Sequence, residues 1–518
     1  MKKMLRLLMC TGLCAAFLAL PSLAADTEEV PAKQGDFYVM VNGEYVTFPD
    51  AVPQAKDNRS FLPFVAVFDQ LGFPEENMTW DAATNTVTAV KPDVTYTPSN
   101  GGEAKQGDLT IQLTLGSKDI VYWYEGNTTA DPHGQQVQVR TTVHTDVAPY
   151  AYANRTYIPF GLVAEVLGYN VGWDGTMGAV IIDDVDAILD ANTETYDLMD
   201  QYQAYNRTFV EKNQKVTGDY SMDLAVKQGS DNDLSFTAKG DYEMLTGGAT
   251  AFQFDTDMTM DASIVSNGMD LSGMLTSADG EPMFPMDLAF SMRGDMDNGA
   301  FYFNLDSQQL AALTGWDSAS WYKLDMAAIY DEMSGMTGMT YAQLMELSTA
   351  SVEEDFSQLL PTVLKGLPLN SVQFTTSDYL ELINTICGDS HFVKSGSNYV
   401  NTFLNEGGIQ GTFTLYTSAG KVNGYAIELK ADPAVVGAEM TLSAAMKGSK
   451  MEMVLNVAAA QEAGEDIPEV SITVDMNMDG TYQSTSAKPV TEPPAGATVV
   501  DLMDLMEMPE VPEVLPAA

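Results

Sequence analysis

Imidazoles and thiols are scarce in this 518-residue chain, with three His and three Cys, and they are poorly spaced to act as ligands or nucleophiles. His133, His144 and His391 are the three histidines, and no His-x-His pair offers a ready imidazole cluster for zinc or copper. Met333-x-x-Met336-x-x-Met339 groups three thioethers with Gly and Ser between them, and such soft ligands suit Cu(I). In a chain with 31 methionines the same group reads equally well as a loop over an apolar core. Asp475-x-Asn477-x-Asp479-Gly480 opens like a calcium-binding loop. Ser486 stands where the bidentate glutamate of such a loop belongs, so a turn after a strand is expected instead. Asp295-Met296-Asp297-Asn298-Gly299 reads as a hairpin turn. Cys387 reads as a small buried hydrophobe near a helix end. The chain has no Gly-x-Ser-x-Gly elbow, no Cys–His pairing, no phosphate-binding loop and no dinucleotide fingerprint. Carboxylates are too numerous for any pair to be singled out for acid–base work. No catalytic residue, metal ligand or cofactor is assigned, and the chain reads as non-enzymatic.

The bulk properties set the compartment and the classes of partner. Lys2, Lys3 and Arg6 precede an apolar run from Leu7 to Leu20, and Pro21-Ser22-Leu23-Ala24 supplies small residues for cleavage. This is the layout of a secretory signal peptide, residues 1–24, followed by a linker at 25–36. Neither Cys10 nor Cys14 lies in a lipoprotein box, and no Leu-Pro-x-Thr-Gly sorting motif follows. The expected location is extracellular, with association with the cell wall left open. No later stretch reaches the roughly 18 continuous apolar residues of a membrane span, so no transmembrane segment is expected in the mature chain. Only Cys387 lies beyond the signal segment, which rules out an intramolecular disulfide. A net charge of −47 repels nucleic acid and anionic headgroups, and no basic patch offsets it.

An internal repeat organises the first third. Asn58-Arg59-Ser60-Phe61-Leu62-Pro63-Phe64 leads to Leu71-Gly72 and Thr79-Trp80-Asp81; Asn154-Arg155-Thr156-Tyr157-Ile158-Pro159-Phe160 leads to Leu167-Gly168 and Gly172-Trp173-Asp174. The Arg, Pro and Gly positions share one offset of 96, and the Trp positions an offset of 93. Each unit reads as a turn and short strand, then a helix opened by Pro63 or Pro159 and closed by Gly72 or Gly168. The helical stripes are Val65, Val67-Phe68 and Leu71 in one unit, and Leu162-Val163 and Val166-Leu167 in the other. A turn at Trp-Asp then feeds a closing strand, Thr86–Ala89 or Ala179–Ile182. With Val41-Asn42-Gly43 at its entry, the segment 37–184 resembles the copper amine oxidase N-terminal-like, or stalk, domain of secreted proteins. It departs from that family at Phe64 and Gly161, where the family more often has Arg. The resemblance implies an accessory α+β module and no oxidase. The quinone chemistry of copper amine oxidases needs an Asn-Tyr-Asp/Glu context and three His ligands, whereas Asn398-Tyr399 is followed here by Val400 and Asn401.

The second half changes period. Asn192-Thr193-Glu194-Thr195 can cap a helix carrying Tyr196, Leu198-Met199, Tyr202, Tyr205 and Phe209. After Val216-Thr217-Gly218 the apolar residues alternate: Phe252-x-Phe254, Met258-x-Met260, Met286-x-Leu288-x-Phe290-x-Met292, Phe301-x-Phe303-x-Leu305, Met451-x-Met453-x-Leu455-x-Val457 and Val470-x-Ile472-x-Val474-x-Met476-x-Met478. The intervening Asp, Asn, Thr and Ser mark an antiparallel sheet with one wet and one apolar face. A helical insert at about 327–387 would cap the apolar face, and 502–518 forms a Pro- and acid-rich tail. The expected fold is therefore α+β: a repeated strand–helix–strand module, then a large curved antiparallel half-barrel over 185–501 with capping helices.

This order, with Trp321-Tyr322-Lys323-Leu324-Asp325, resembles the half-barrel carriers of the LolA/LppX lipoprotein-carrier superfamily. The resemblance implies an apolar cavity for a hydrophobic small molecule or lipid; a filled core fits the pattern as well. Its lining would be Phe252, Phe254, Met258, Met260, Met286, Phe290 and Met292. The other reading is a cell-surface structural or interaction protein that contacts wall polymers or other proteins, with Tyr122-Trp123-Tyr124 as a solvent-facing stacking patch.

Overall fold

The computed structural model describes residues 30–502 apart from 58, 99–102, 132–134, 162–166, 211, 229–231, 249, 275, 277–279, 281, 315, 333–339, 343, 346–353, 405–408, 432–437 and 462–469. The signal segment, His133, the Met333/Met336/Met339 group, most of the second repeat's helical stripe and the tail beyond 502 lie outside the described residues. The chain divides into two compact units: one holds 24–193 and 361–382, the other 194–360 and 383–518.

In the first unit the repeat acts as a pseudo-symmetric core. Strands Arg59–Pro63 and Arg155–Pro159 pair antiparallel, with Leu62 opposite Ile158, so the two copies meet at equivalent residues. Both leucine and isoleucine are fully buried. The ion pairs follow the same symmetry: Arg59 meets Asp146 at 2.7 Å, and Arg155 meets Asp50. Pro63 ends its strand with φ −61° and sets up the helix Phe64–Gln70, which Gly72 terminates with φ +82°. Phe64, at a position of family departure, is buried against Phe68 with ring centroids 4.2 Å apart.

The copies then diverge. The first hairpin, Met78–Asp81 with Thr86–Tyr96, extends a five-stranded sheet through Lys105–Thr114, Asp119–Tyr124 and Thr141–His144. The second, Asn170–Asp174 with Ala179–Asp183, pairs in parallel with Tyr38–Val41. Asn42-Gly43, with φ of 49° and 84°, makes the tight turn after that strand. The insert expected at about 327–387 contributes Pro361–Leu382 to this unit instead of acting wholly as a cap on the large sheet. The Asn170 side chain donates to the Leu364 and Leu367 carbonyls, Asp174 accepts the Val372 N–H, and Asp183 accepts the Thr376 N–H. At Gly172 a Cβ would lie 1.7 Å from the Leu369 carbonyl oxygen, so glycine is required there.

The second unit is dominated by one curled, almost wholly antiparallel sheet of 15 strands among the described residues. Its long members include Gln214–Gln228, Asn232–Gly247, Ala251–Ser266, Met286–Asp295, Lys450–Gln461 and Val470–Ser484. Helix Asp197–Arg207 lies on it through Tyr202, whose ring packs edge-on against Phe413 and Tyr425. That helix takes its N-terminal hydrogen bonds from a distant carboxylate: Asp389 accepts the Asp197 and Leu198 N–H groups, where the sequence placed a cap at Asn192–Thr195. Asp475–Gly480 is interior to the strand Val470–Ser484, which corrects the expected turn. The hairpin turn at Met296–Asn298, closed by Gly299 at φ +67°, forms as expected.

Candidate apolar binding face

Because side chains alternate along a strand, cross-strand register decides which residues share a face. One row runs Leu429, Leu442, Leu455, Met476, Met222, Ala238, Met260 and Met286 across eight strands, each residue opposite the next. A second runs Val216, Met244, Phe254, Met292, Phe303 and Tyr322. All seven residues expected to line a cavity fall on this face. Phe252, Phe254, Met258 and Met260 share one parity, and their partners Met286, Phe290 and Met292 share the corresponding one.

The seven nevertheless have three environments. Met286, 1% exposed, packs with Met283 and Leu288, and Met258 and Met260 lean on that cluster. Phe252 leans on a second cluster of Met296, Tyr341, Leu344 and Met345. Those two ends are filled core. Between them Phe254, Phe290 and Met292 are half-buried, as Phe252, Met258 and Met260 are, but pack on neither cluster. Phe254 and Phe290 belong to a run of neighbouring rings, Tyr242, Phe254, Phe290, Phe303, Tyr322 and Trp316, with successive centroids 4.2–6.2 Å apart. The opened area continues over Met222, Leu224, Phe236, Val474, Met476 and Leu455, all half-buried. Sequence reasoning missed Tyr242, Phe303, Tyr322 and Trp316. The alternation Phe301-x-Phe303 marked one of them, but only register joins them to Phe254.

The bend of the sheet depends on glycine at this face. A Cβ on Gly218 would lie 1.9 Å from the Asp479 carbonyl oxygen, and one on Gly240 2.2 Å from that of Asp257, so neighbouring backbone leans over the apolar side there. The Tyr242 hydroxyl crosses the bend to donate to the Asp479 carbonyl at 2.8 Å. Burial, then the nearby Asp479 and Asp219 carboxylates, push its phenol well above the usual range. The Thr256 hydroxyl donates to the Asp241 carbonyl at 2.7 Å. The hydroxyl hydrogens of Tyr242 and Thr256 are thus committed to the protein.

The opposite face is acidic. Asp219, Asp241 and Asp257 stand directly opposite one another on three strands. The hydrogen bond between Asp219 and Asp241, then their mutual repulsion, push the Asp219 carboxyl up. These acids border a shallow, open depression of about 780 Å³ that also includes Asp287 and Asp306. Among the described residues no cluster of His, Cys, Asp and Glu has metal-binding geometry. Burial disfavours ionisation of Asp255, but hydrogen bonds from Gln253, Ser291 and Arg293 outweigh it and hold the carboxyl below the usual range.

Other expected features fall elsewhere. Tyr122 and Tyr124 pack on the first unit's core and Trp123 is half-buried under Arg140, so this trio is not a solvent-facing patch. The exposed rings of that unit are instead Trp80, Trp173 and Tyr152, at 48%, 43% and 58% exposure. Cys387 is buried at its helix end, and among the described residues no helix is long and apolar enough to cross a membrane.

Residues 40–182 and 136–205 match the family model of the copper amine oxidase N-terminal domain, which is not the catalytic domain of that enzyme. No curated protein matches the chain. Among solved structures, lipovitellin, from a study of its lipid–protein interactions, shares 9% identity over 54% of this chain with a TM-score of 0.20. This chain spans about 28% of the lipovitellin chain. The attachment invasion protein Ail of Yersinia pestis (6% identity, 52% of this chain, 99% of that one, TM-score 0.08) and the outer membrane protease OmpT of Escherichia coli (7%, 54%, 98%, TM-score 0.11) are similar at the same level. Scores this low carry no argument about fold or function.

Proposed function

We propose that this is an exported, non-enzymatic binding protein whose large sheet holds a hydrophobic, lipid-like ligand on its apolar face, with the repeat module as an accessory unit. The observation that carries this reading is the half-buried stretch around Phe254, Phe290 and Met292, set between two filled clusters on a face that is apolar across eight strands. A folding core closes such a surface; large contiguous apolar areas left open on a soluble protein mark sites of interaction. The apolar run at Leu7–Leu20 supports export. Native mass spectrometry of the full chain from its own host, followed by organic extraction, tests the reading. A stoichiometric hydrophobic adduct is expected; a clean apo mass with no uptake of offered lipids would contradict it.

A second reading has its own observation. Trp80 and Trp173 are repeat-related, exposed and suited to stacking on sugar rings or a protein partner. Sedimentation with purified cell-wall polymer, with and without W80A/W173A, separates it from the first: loss of co-sedimentation in the variant would favour a surface-contact role for the module.

A further inference from the structure

Resting on the binding reading, we infer that the ligand is a lipid with an uncharged headgroup, and that lipids with anionic headgroups are rejected. On the strands between Gln214 and Asp325 the cations are Lys215, Lys227, Lys239, Arg293 and Lys323. Register puts every one of them on the acidic face. Four are already paired: Lys215 with Glu243 at 2.6 Å, Lys227 with Asp233 at 3.9 Å, Arg293 with Asp255 at 2.7 Å, and Lys323 with both Asp325 and Asp501. The carboxylates of these strands also occupy the acidic face, so the apolar face carries no charge of either sign there. A phosphate or carboxylate brought onto it would lose water and find no counter-ion.

The hydroxyls on the face do not replace one. Tyr242 and Thr256 donate to main-chain carbonyls, Tyr322 donates to the carbonyl of Asp317, and Tyr220, 3.4 Å from the Thr256 hydroxyl, is a neutral phenol and no counter-ion. Beyond the face, a net charge of −47 sets a negative potential that opposes the approach of anions. Hydrocarbon chains need none of these partners. They match a surface of Phe, Met and Leu, whose thioethers adapt to chains of differing shape.

The test offers the full-length protein an equimolar mixture of dioleoylglycerol and dioleoylphosphatidylglycerol and reads the adducts by native mass spectrometry. The acyl chains are identical, so only the headgroup discriminates. The neutral lipid should exceed the anionic one by roughly 10-fold or more. Raising salt from about 0.05 M to about 0.5 M should narrow that ratio by screening the repulsion. The variant M292K, which sets a cation on the face, should gain the anionic lipid. Equal or preferential uptake of the anionic lipid by the wild-type protein would overturn the inference and leave the binding reading standing. Uptake of neither lipid would overturn both.

Discussion

Replacing Phe254 and Phe290 with alanine should weaken lipid binding, alongside a loss of stability from the part of each ring already buried in the fold. Full burial of a phenylalanine side chain is worth about 1.5–3 kcal/mol. Each ring is more buried than exposed without ligand, so at most about a third of that, roughly 0.5–1 kcal/mol, remains for a bound hydrocarbon to gain. That corresponds to about a two- to five-fold change in Kd per ring. The ring centroids lie 6.2 Å apart, so the two effects should couple, and the double variant should lose about 5- to 30-fold. Met286 provides the contrast. At 1% exposure it is sealed against Met283 and Leu288, and M286A should cost about 2–5 kcal/mol of stability while leaving the Kd of the folded fraction within about two-fold. Binding of a fluorescent diacylglycerol and urea unfolding, measured on the same preparations, separate the two quantities. If F254A/F290A binds like the wild type, or if M286A loses binding while still folded, the division of the face into an open middle and filled ends is wrong.

Three further outcomes follow from the first unit. Gly172→Ala should displace the segment held over it, because the new Cβ would overlap the Leu369 carbonyl; hydrogen exchange across 364–376 should rise, and unchanged protection would refute the clamp. Asp183 is fully buried, with one carboxylate oxygen lacking a hydrogen-bond partner among the described residues, and burial pushes its carboxyl up against the opposing hydrogen bonds of Thr376. An acid with a raised folded pKa loses stability as pH climbs from its unfolded value to its folded one, so D183N should gain on the wild type over that interval and keep the gain at neutral pH. A wild-type advantage that grows with pH in unfolding titrations would reverse that sign. The Arg59–Asp146 pair is more than half exposed at both side chains, so R59A should shift unfolding by less than about 1 kcal/mol despite its symmetric partner in the repeat; a larger loss would show that the pair is more than surface decoration.

How much of this was legible beforehand differs by feature. Alternation alone placed Phe252 through Met260 and Met286 through Met292 on one face, because strand geometry converts a period of two directly into sidedness. It could not tell Met286 from Met292: what distinguishes them is cover from the Met283–Phe284 segment and helix Gln308–Thr314, which periodicity does not encode. Gly480 suggested a turn because glycine after Asp usually marks one, yet here it sits mid-strand where the Tyr242 hydroxyl needs room. The destination of Pro361–Leu382 rests on Asn170, Gly172, Asp174 and Asp183, nearly 200 residues away in sequence, each giving isolated contacts and no pattern. Tyr122 and Tyr124 show the reverse problem, since an alternating aromatic pair reads the same whether its face meets solvent or core.

The most direct test of the binding face is photolabelling of the full-length protein with a diacylglycerol carrying a diazirine in its acyl chain, followed by peptide mapping. Label concentrated in the strands Ala251–Ser266 and Met286–Asp295, and competed away by unlabelled diacylglycerol, is the predicted result. Label spread over the acidic face or confined to the repeat module, or label that excess lipid does not displace, would contradict it.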